Sequence, residues 1–239
     1  MYKYELHCHT SEGSRCASTT AAGMIDFYKK CGYQGVVITD HFFNGNCTVP
    51  KDLPWKERVE LYCKGYENAK KRGDEIGVDV FFGWEFGGDF VTLGLSPEWL
   101  SENENLDKLT IYEYFEKIHS AGGYLIHAHP FRESPYTKAL RIFPRHVDAM
   151  ETINAGNTDF QNSIADYLAE QYKVTKAAGS DKHSDAIKNI AAVELDFRAE
   201  TLDELIDAMK NNKHTVKEYD LSENDGKIEL TEHIPVKEV

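Results

Sequence analysis

Glu5-Leu6-His7-Cys8-His9-Thr10 closes the first apolar stretch of the chain, and its reading decides the fold. Successive side chains on a strand point to opposite faces, so His7 and His9 share one face while Cys8 turns to the other. Two imidazoles one residue apart can ligate one metal ion or two adjacent ones. Cys8, on the far face, reads as a small core residue. A His-x-His pair becomes a site only in company, and the rest of the chain supplies it.

Working outward, Thr19 or Thr20 caps a predicted helix running to about Cys31, and Gly32 closes it. Gly35-Val36-Val37-Ile38-Thr39 reads as a strand buried on both faces, ending at Asp40-His41. Pro54 suits the first turn of a helix over 55–72. A third strand over 78–84 ends at Glu85, and Gly87-Gly88 turns the chain into another over 90–95. A helix over 110–120 precedes Tyr124-Leu125-Ile126, which ends at His127-Ala128-His129-Pro130. Strands over 147–153 and 174–179 flank a helix over 159–172, and the second leads into Ser180-Asp181-Lys182-His183. Ala191–Leu195 is expected as the last core strand, followed by a helix over 202–211 capped by Thr201. This alternation predicts an α/β fold of parallel strands covered by helices. His7, His9, His41, Glu85, His129, Asp181 and His183 then all fall just past strand C-termini, the rim where an α/β barrel gathers its chemistry.

Composition narrows the function. The chain has 239 residues, enough for one good-sized domain, with 41% hydrophobic and 12% aromatic residues, which is globular composition. A net charge of −13, from 27 Lys+Arg against 40 Asp+Glu, lacks the basic face that a binder of long nucleic acid needs. Bound cations can still reverse the local potential for an anionic substrate. No apolar run nears the roughly 20 residues of a membrane span, and no signal-peptide pattern opens the chain, so a cytoplasmic, membrane-free protein is expected. The five cysteines are scattered without a Cys-x-x-Cys pair, which reads as free thiols and excludes a zinc finger. No interruption divides the chain, so 1–239 is taken as one domain, with a body over 1–212. In the extension over 213–239, Asn224-Asp225-Gly226 signals a terminal β-hairpin or edge strands.

The order His7-Cys8-His9, Thr39-Asp40-His41, Gly83-Trp84-Glu85, Ala128-His129-Pro130 and Gly179-Ser180-Asp181-Lys182-His183 resembles the PHP (polymerase and histidinol phosphatase) superfamily from residue 5 to about 212. The resemblance implies a distorted (β/α)7 TIM-like barrel with two or three divalent metal ions (Mn, Fe or Zn) and phosphoester hydrolysis. It also implies His7, His9, Glu85 and Asp181 on a first metal, Glu85 bridging to a second held by His129, and His41 with His183 serving a third. The family often carries a further ligand in the loop after the His pair. There the chain reads Ser11-Glu12-Gly13-Ser14-Arg15-Cys16, and Glu12 is the only strong oxygen donor.

A phosphate ester calls for cations. Arg132, emerging after His129-Pro130-Phe131, is the first choice as substrate clamp and Arg15 the second, because a guanidinium fork matches phosphate oxygens. His127 shares the parity of His129 and is expected as a further ligand, a donor to one, or a substrate contact. His41, His127 and His183 are candidates for assisting the leaving group, with Glu85, His41, His183 and Arg132 as the catalytic set. Lys182 has the opposite parity and is expected to point away. Asn154 orients a ligand, lines the pocket or simply makes a turn. His119 reads as packing or surface, and His146, His214 and His233 have no ligand company in sequence. Loops 42–53, 96–108 and 131–145 are expected to wall a pocket for a small phosphorylated substrate. A metal-dependent C–N hydrolase of the amidohydrolase type also begins with His-x-His. Its usual bridge is a carboxylated lysine, where this chain offers Glu85. A protein-tyrosine phosphatase or nuclease within the PHP superfamily stays open.

Overall fold

The computed structural model describes residues 1–135, 137, 139–186, 188–224 and 227–236. Strand β1 (Tyr2–Cys8) lies parallel to β2 (Tyr33–Ile38), and β2 parallel to β3 (Asp79–Phe82). Helix α1 (Ala21–Lys30) joins the first two strands, and the Thr20 side chain caps it by accepting from Gly23 N. Where the spacing predicts one helix over 55–72, two form, α2 (Trp55–Tyr62) and α3 (Lys64–Ile76), with Cys63 at the junction. Gly73 lets α3 lie close on β3, since a Cβ there would stand 2.5 Å from the Val78 carbonyl oxygen.

The second half of the chain is built differently. β4 (Trp84–Phe86) and β5 (Phe90–Leu93) form an antiparallel hairpin whose turn uses Gly87 and Gly88 at φ of 64° and 75°. Helices α4 (Pro97–Glu102) and α5 (Ile111–Ser120) follow, and β6 (Tyr124–His127) pairs antiparallel with β5. β7 (Ala149–Asn154), helix α6 (Asp159–Tyr172) and β8 (Thr175–Gly179) restore the parallel arrangement. β9 (Asn189–Leu195) returns antiparallel to β1. After α7 (Leu202–Lys210), β10 (Thr215–Asn224) and β11 (Lys227–Glu232) extend the sheet beyond it. The expected hairpin signal at Asp225-Gly226 lies outside the described residues, but the strands flanking it pair as a hairpin should.

The result is a mixed α/β fold of two sheets, ordered β11-β10-β9-β1-β2-β3 and β4-β5-β6-β7-β8, and not a closed barrel. The expected uniform parallel alternation fails because the Gly87-Gly88 turn sends the chain straight back, with no helix to carry it over. The sheets still meet at one end. Glu85 N donates to the Asp40 carbonyl at 3.0 Å, Phe42 N donates to the Glu85 carbonyl at 2.8 Å, and His41 and Glu85 form an isolated parallel bridge. On the other side Cys8 bridges Lys182, with His9 N donating to the Lys182 carbonyl at 2.9 Å. These two seams hold His41, Glu85, His9 and the Asp181–His183 segment together, so the joint between the sheets is also the site.

Between the sheets lies an apolar core that includes Tyr4, Leu6, Val37, Val91, Ile126 and Val193. A largely aromatic cluster around Phe42, Phe43, Trp55, Trp84 and Tyr114 packs α2 and α5 onto β4 and β5. Among the described residues no helix is long and apolar enough to cross a membrane.

Candidate metal centre

Glu85 stands at the centre of the seam, 1% exposed, with imidazoles on every side. His41 Nδ1 is 2.5 Å from its Oε2 and His129 Nε2 is 3.2 Å from its Oε1. His7 Nε2 lies 3.6 Å from Oε1, and His9 Nε2 lies 3.8 Å from Oε2. Asp181 closes the ring from the opposite seam, with Oδ1 3.0 Å from His9 Nε2 and 3.5 Å from His7 Nε2. Both His129 and Asp181 sit at positive φ, 30° and 50°, turns that swing their side chains inward. Burial favours neutral carboxyls here, but His41 and His129 beside Glu85, and His7 and His9 beside Asp181, hold both well below the usual carboxylate range.

Proton accounting shows which nitrogen each histidine presents. Glu151 Oε1 takes the His7 Nδ1 proton at 2.8 Å, while its Oε2 accepts from His129 N and Asn154 Nδ2. Ser14 has one hydroxyl proton and gives it to Asp40 Oδ1 at 2.7 Å, so the His9 Nδ1 at 3.1 Å must donate to it. His183 Nδ1 is spent on the Asp181 carbonyl at 3.0 Å. His7, His9 and His183 therefore all turn Nε2 toward the centre. Burial and the neighbouring His41 push His9 down to about 3, so its Nε2 carries a bare lone pair facing the Asp181 carboxylate. Two acceptors at 3.0 Å repel unless a cation lies between them. Burial works against protonation of His7 too, but Glu151, Asp181 and Glu85 overcome it and raise it to about 10. In the absence of a metal ion a proton on His7 partly offsets this negative charge.

At the seam three groups offer ligand atoms all within 4.8 Å of one another, His7–His9–Glu85, His7–His129–Asp181 and His9–His41–His183; a fourth, Asp159–Glu218–His233, lies apart at the tail. All seven rim residues singled out in the sequence thus converge. Glu12, Arg15 and His127 fall elsewhere. Glu12 turns away, its Oε2 accepting from Ala21 N at 2.9 Å at the start of α1 and its Oε1 from Asn68 Nδ2 at 3.2 Å. Arg15 donates to the Cys47 carbonyl at 2.6 Å and the Thr48 carbonyl at 3.4 Å, held against its own loop and not on the cavity wall. His127 stacks on Phe90 at 4.9 Å and lies among aromatic side chains, where burial and the nearby His129 push it down to about 3. The positive φ of His129 ends the strand alternation that would have put the two histidines on one face.

A cavity of about 800 Å³ opens over the outer side of the cluster, walled by His41, His129, Arg132, Asp181 and His183 and by residues 45–46, 87–89, 137 and 139–141. Segment 96–108 does not reach it, because Leu100 and Leu106 are buried in the aromatic cluster. Arg132 enters the wall with Nη1 paired to Asp181, Nη2 2.5 Å from Asn154 Oδ1 and Nε 2.9 Å from Asn157 Oδ1. Asn154 therefore both orients and links, joining Arg132 to Glu151. Lys182 does point away, toward the Asn189 carbonyl at 3.0 Å.

Sequence reading missed Glu151, Ser14 and Cys16. Glu151 had a visible signal, a lone carboxylate inside the apolar run Ala149-Met150-Glu151-Thr152-Ile153. Cys16 lines the cavity mouth. Burial works against ionisation of its thiol, but hydrogen bonding with His183 and His41 brings it down to about 6. His233 has more company than expected, with Asp159 Oδ1 at 2.9 Å and Asp220 Oδ2 at 3.2 Å. Its Nε2 pins the tail to α6 through Asp159, while its Nδ1 faces Asp220 of β10.

No family model matches the chain, and no curated protein does. Solved structures do resemble it. One is a two-domain protein from Bacteroides vulgatus containing a predicted PHP-like metal-dependent phosphoesterase, at 16% identity over 91% of this chain and 64% of that one, with a TM-score of 0.67. The chain thus spans less than two thirds of that neighbour. A second is a putative metal-dependent phosphoesterase from Bifidobacterium adolescentis, at 16% identity over 85% and 94% of the two chains, with a TM-score of 0.53. A third, an amidohydrolase from Chromobacterium violaceum holding sulfate and no metal, matches at 13% identity over 76% and 87%, with a TM-score of 0.50. At such identities the likeness is one of fold alone, a fold shared with proteins described as predicted or putative metal-dependent phosphoesterases and with an amidohydrolase.

Proposed function

We propose that this chain is a metal-dependent hydrolase of the PHP type that cleaves a phosphate ester of a small molecule. The observation that carries this reading is the cluster of lone pairs, above all His9 Nε2 against Asp181 Oδ1 at 3.0 Å, which calls for cations in between. His7, His9, Glu85 and Asp181 would hold one divalent ion, His129 with Glu85 a second, and His41 with His183 a third. The mixed nitrogen and carboxylate set accepts Mn, Fe or Zn. Bound there, such ions supply the Lewis acidity that polarises a phosphoryl oxygen and eases ionisation of water.

The chain's own residues do the rest. With an ion bound, Asp181 would be shared between it and Arg132, and the guanidinium fork on the cavity wall would then be available to phosphoryl oxygens. Asn154 and Asn157 keep that fork in plane. Where no ion occupies the outer position, His41 and His183, the most solvent-facing imidazoles of the cluster, would be free to hand a proton to the leaving alkoxide. The cavity of about 800 Å³ suits a small phosphorylated molecule more than a long polymer, in keeping with the net charge of −13.

The amidohydrolase-fold neighbour raises C–N hydrolysis as the second reading. It needs a carboxylated lysine as bridge, and Lys182, the lysine flanked by cluster residues, is committed to the far side. Elemental analysis with a screen of phosphate esters and amides decides between them. Two or more equivalents of metal with turnover of an aryl phosphate is the expected result. Metal-free protein, or activity surviving His9→Ala with Glu85→Ala, would sink the proposal.

A further inference from the structure

Helix α6 is apolar on the side that faces away from the sheet. Inward it turns the small, buried residues Asn162, Ala165 and Ala169. Outward, Phe160 and Tyr167 lie two turns apart at 59% and 63% exposure, and the half-buried Ile164 falls between them on the same stripe. Tyr172 ends the helix, exposed as well. The tail adds to this face. His233 Nε2 meets Asp159 Oδ1 at 2.9 Å and Val236 N donates to Asp159 Oδ2 at 2.6 Å, which seats residues 233–236 against the first turn of α6. On this pinned segment Ile234 and Val236 are nonetheless 83% and 69% exposed. A segment held in order that still offers apolar side chains to water gains free energy when a second surface covers them.

Other exposed large apolar side chains, such as Leu61, Tyr112, Leu140 and Phe197, are scattered over separate segments, whereas five gather on α6 and the tail. A full aromatic side chain covers roughly 150–250 Å², so the exposed parts of Phe160, Tyr167 and Tyr172 with Ile234 and Val236 amount to about 500 Å². Two such faces together reach about 1,000 Å², the lower limit of a specific protein–protein interface, before any polar rim is counted. Charge favours a second copy over a partner of opposite sign. Asp166 and Glu170, on the flank of the stripe, are paired with Lys176 at 2.6 and 2.9 Å, and Asp159 is taken up by the tail. The acidic groups beside the stripe therefore neither call for a basic partner nor repel their own copies.

We propose that the outer face of α6 and the tail segment 233–236 form the interface of a homodimer, with the two α6 helices antiparallel across a twofold axis. Phe160 of each copy then meets Tyr167 of the other, so that one contact is made twice, with Ile164 between them and Ile234 and Val236 at the margin. Central aromatic side chains of this kind carry most of the energy of an interface. This association goes beyond the hydrolase reading and does not depend on it.

Sedimentation equilibrium of the full chain tests the dimer. At about 100 µM, ample for an interface of this small size, the wild type should sediment at twice the 27.2 kDa mass of the chain. F160E/Y167E should raise the dimer Kd at least about 100-fold with an unchanged far-ultraviolet circular dichroism spectrum. F160S/Y167S, which adds no charge, should weaken the dimer in the same direction and serves if the double glutamate variant fails to fold. L61E, on the exposed side of α2, should leave the dimer intact. A wild type that stays monomeric at this concentration overturns the dimer, and the face is then one for a different partner. A dimer that survives both double variants, or that L61E disrupts equally, overturns the assignment to α6 and the tail.

Discussion

The inner and outer halves of the cluster are made of the same residue types and are built to different standards. Inside, His7, His9 and Glu85 are all but sealed from solvent, and each imidazole has its second nitrogen pinned, by Glu151 for His7 and by Ser14 for His9. Outside, the side chains of His41 and His183 are 14% and 28% exposed. His183 has only a backbone carbonyl behind it. Pre-organised ligands lose little entropy on binding and hold tightly. Under the metal-hydrolase proposal, an ion in the inner half would be the resident one and an ion in the outer half, facing the cavity, the exchangeable one.

Breaking the inner half should have the largest effect. Glu85 touches four imidazoles drawn from both halves, so Glu85→Ala removes the carboxylate at the centre of the cluster. The expected outcome is loss of the bound ions in elemental analysis and a fall in kcat/KM on the order of 10³-fold or more. Next comes Glu151→Gln. Glu151 accepts three N–H groups, and an amide in its place must aim a donor at one of them. Inner metal affinity should drop about 10–100-fold with the fold intact, and ¹⁵N shifts of the His7 ring in metal-free protein should report the disturbed Nδ1–H form. Unchanged affinity in that variant would mean that inner tightness does not come from Glu151.

Proton competition sharpens the same contrast. In metal-free protein His7 stays protonated up to about 10, whereas His9 is already neutral above about 3. Loading the inner ion at neutral pH must therefore expel one proton from His7, and affinity should rise about tenfold per pH unit toward pH 10. Stability of the metal-free fold runs the other way. A histidine with a raised folded pKa stabilises the metal-free fold below about 6.5, and that contribution is lost as pH rises through about 10. Calorimetry in two buffers of different ionisation enthalpy counts the proton directly; zero release would contradict the assignment. His183→Ala, in contrast, should leave the inner ion bound, empty the outer position, and lower kcat by about 10–100-fold at near-normal thermal stability, as its partial exposure allows.

The parts of the site legible in the sequence were those governed by local rules. Strand ends are marked by apolar runs stopping at polar residues, so His41, His129, Asp181 and His183 could be read from position alone. Glu85 was read as following a strand and instead occupies the middle of β4, because Gly83 divides what looked like one run. The closed barrel was misread for a related reason. Gly87-Gly88 marks a turn in the sequence, but only pairing shows that it sends β5 back antiparallel and splits the strands into two sheets. Residues that act through a partner distant in sequence left the weakest trace. Ser14 matters because Asp40 takes its proton, and Glu151 because His7, 144 positions away, needs an acceptor. Parity failed at His127 because the turn at His129 breaks the alternation on which parity depends.

The smallest effect is expected where residue type pointed to the cluster and geometry points away. Glu12, the one carboxylate in the loop beside the outer position, spends Oε2 on Ala21 N at the start of α1. A carboxylate there satisfies an otherwise unpaired amide and complements the helix dipole. Glu12→Ala should therefore cost about 1 kcal/mol of stability, read as a drop in Tm, while both metal equivalents and kcat stay within error of wild type. Loss of the outer ion in this variant at unchanged Tm would return Glu12 to the cluster. If Tm falls and the metal content holds, Glu12 acts on stability alone, anchoring the loop to α1 at a distance from the two exposed histidines.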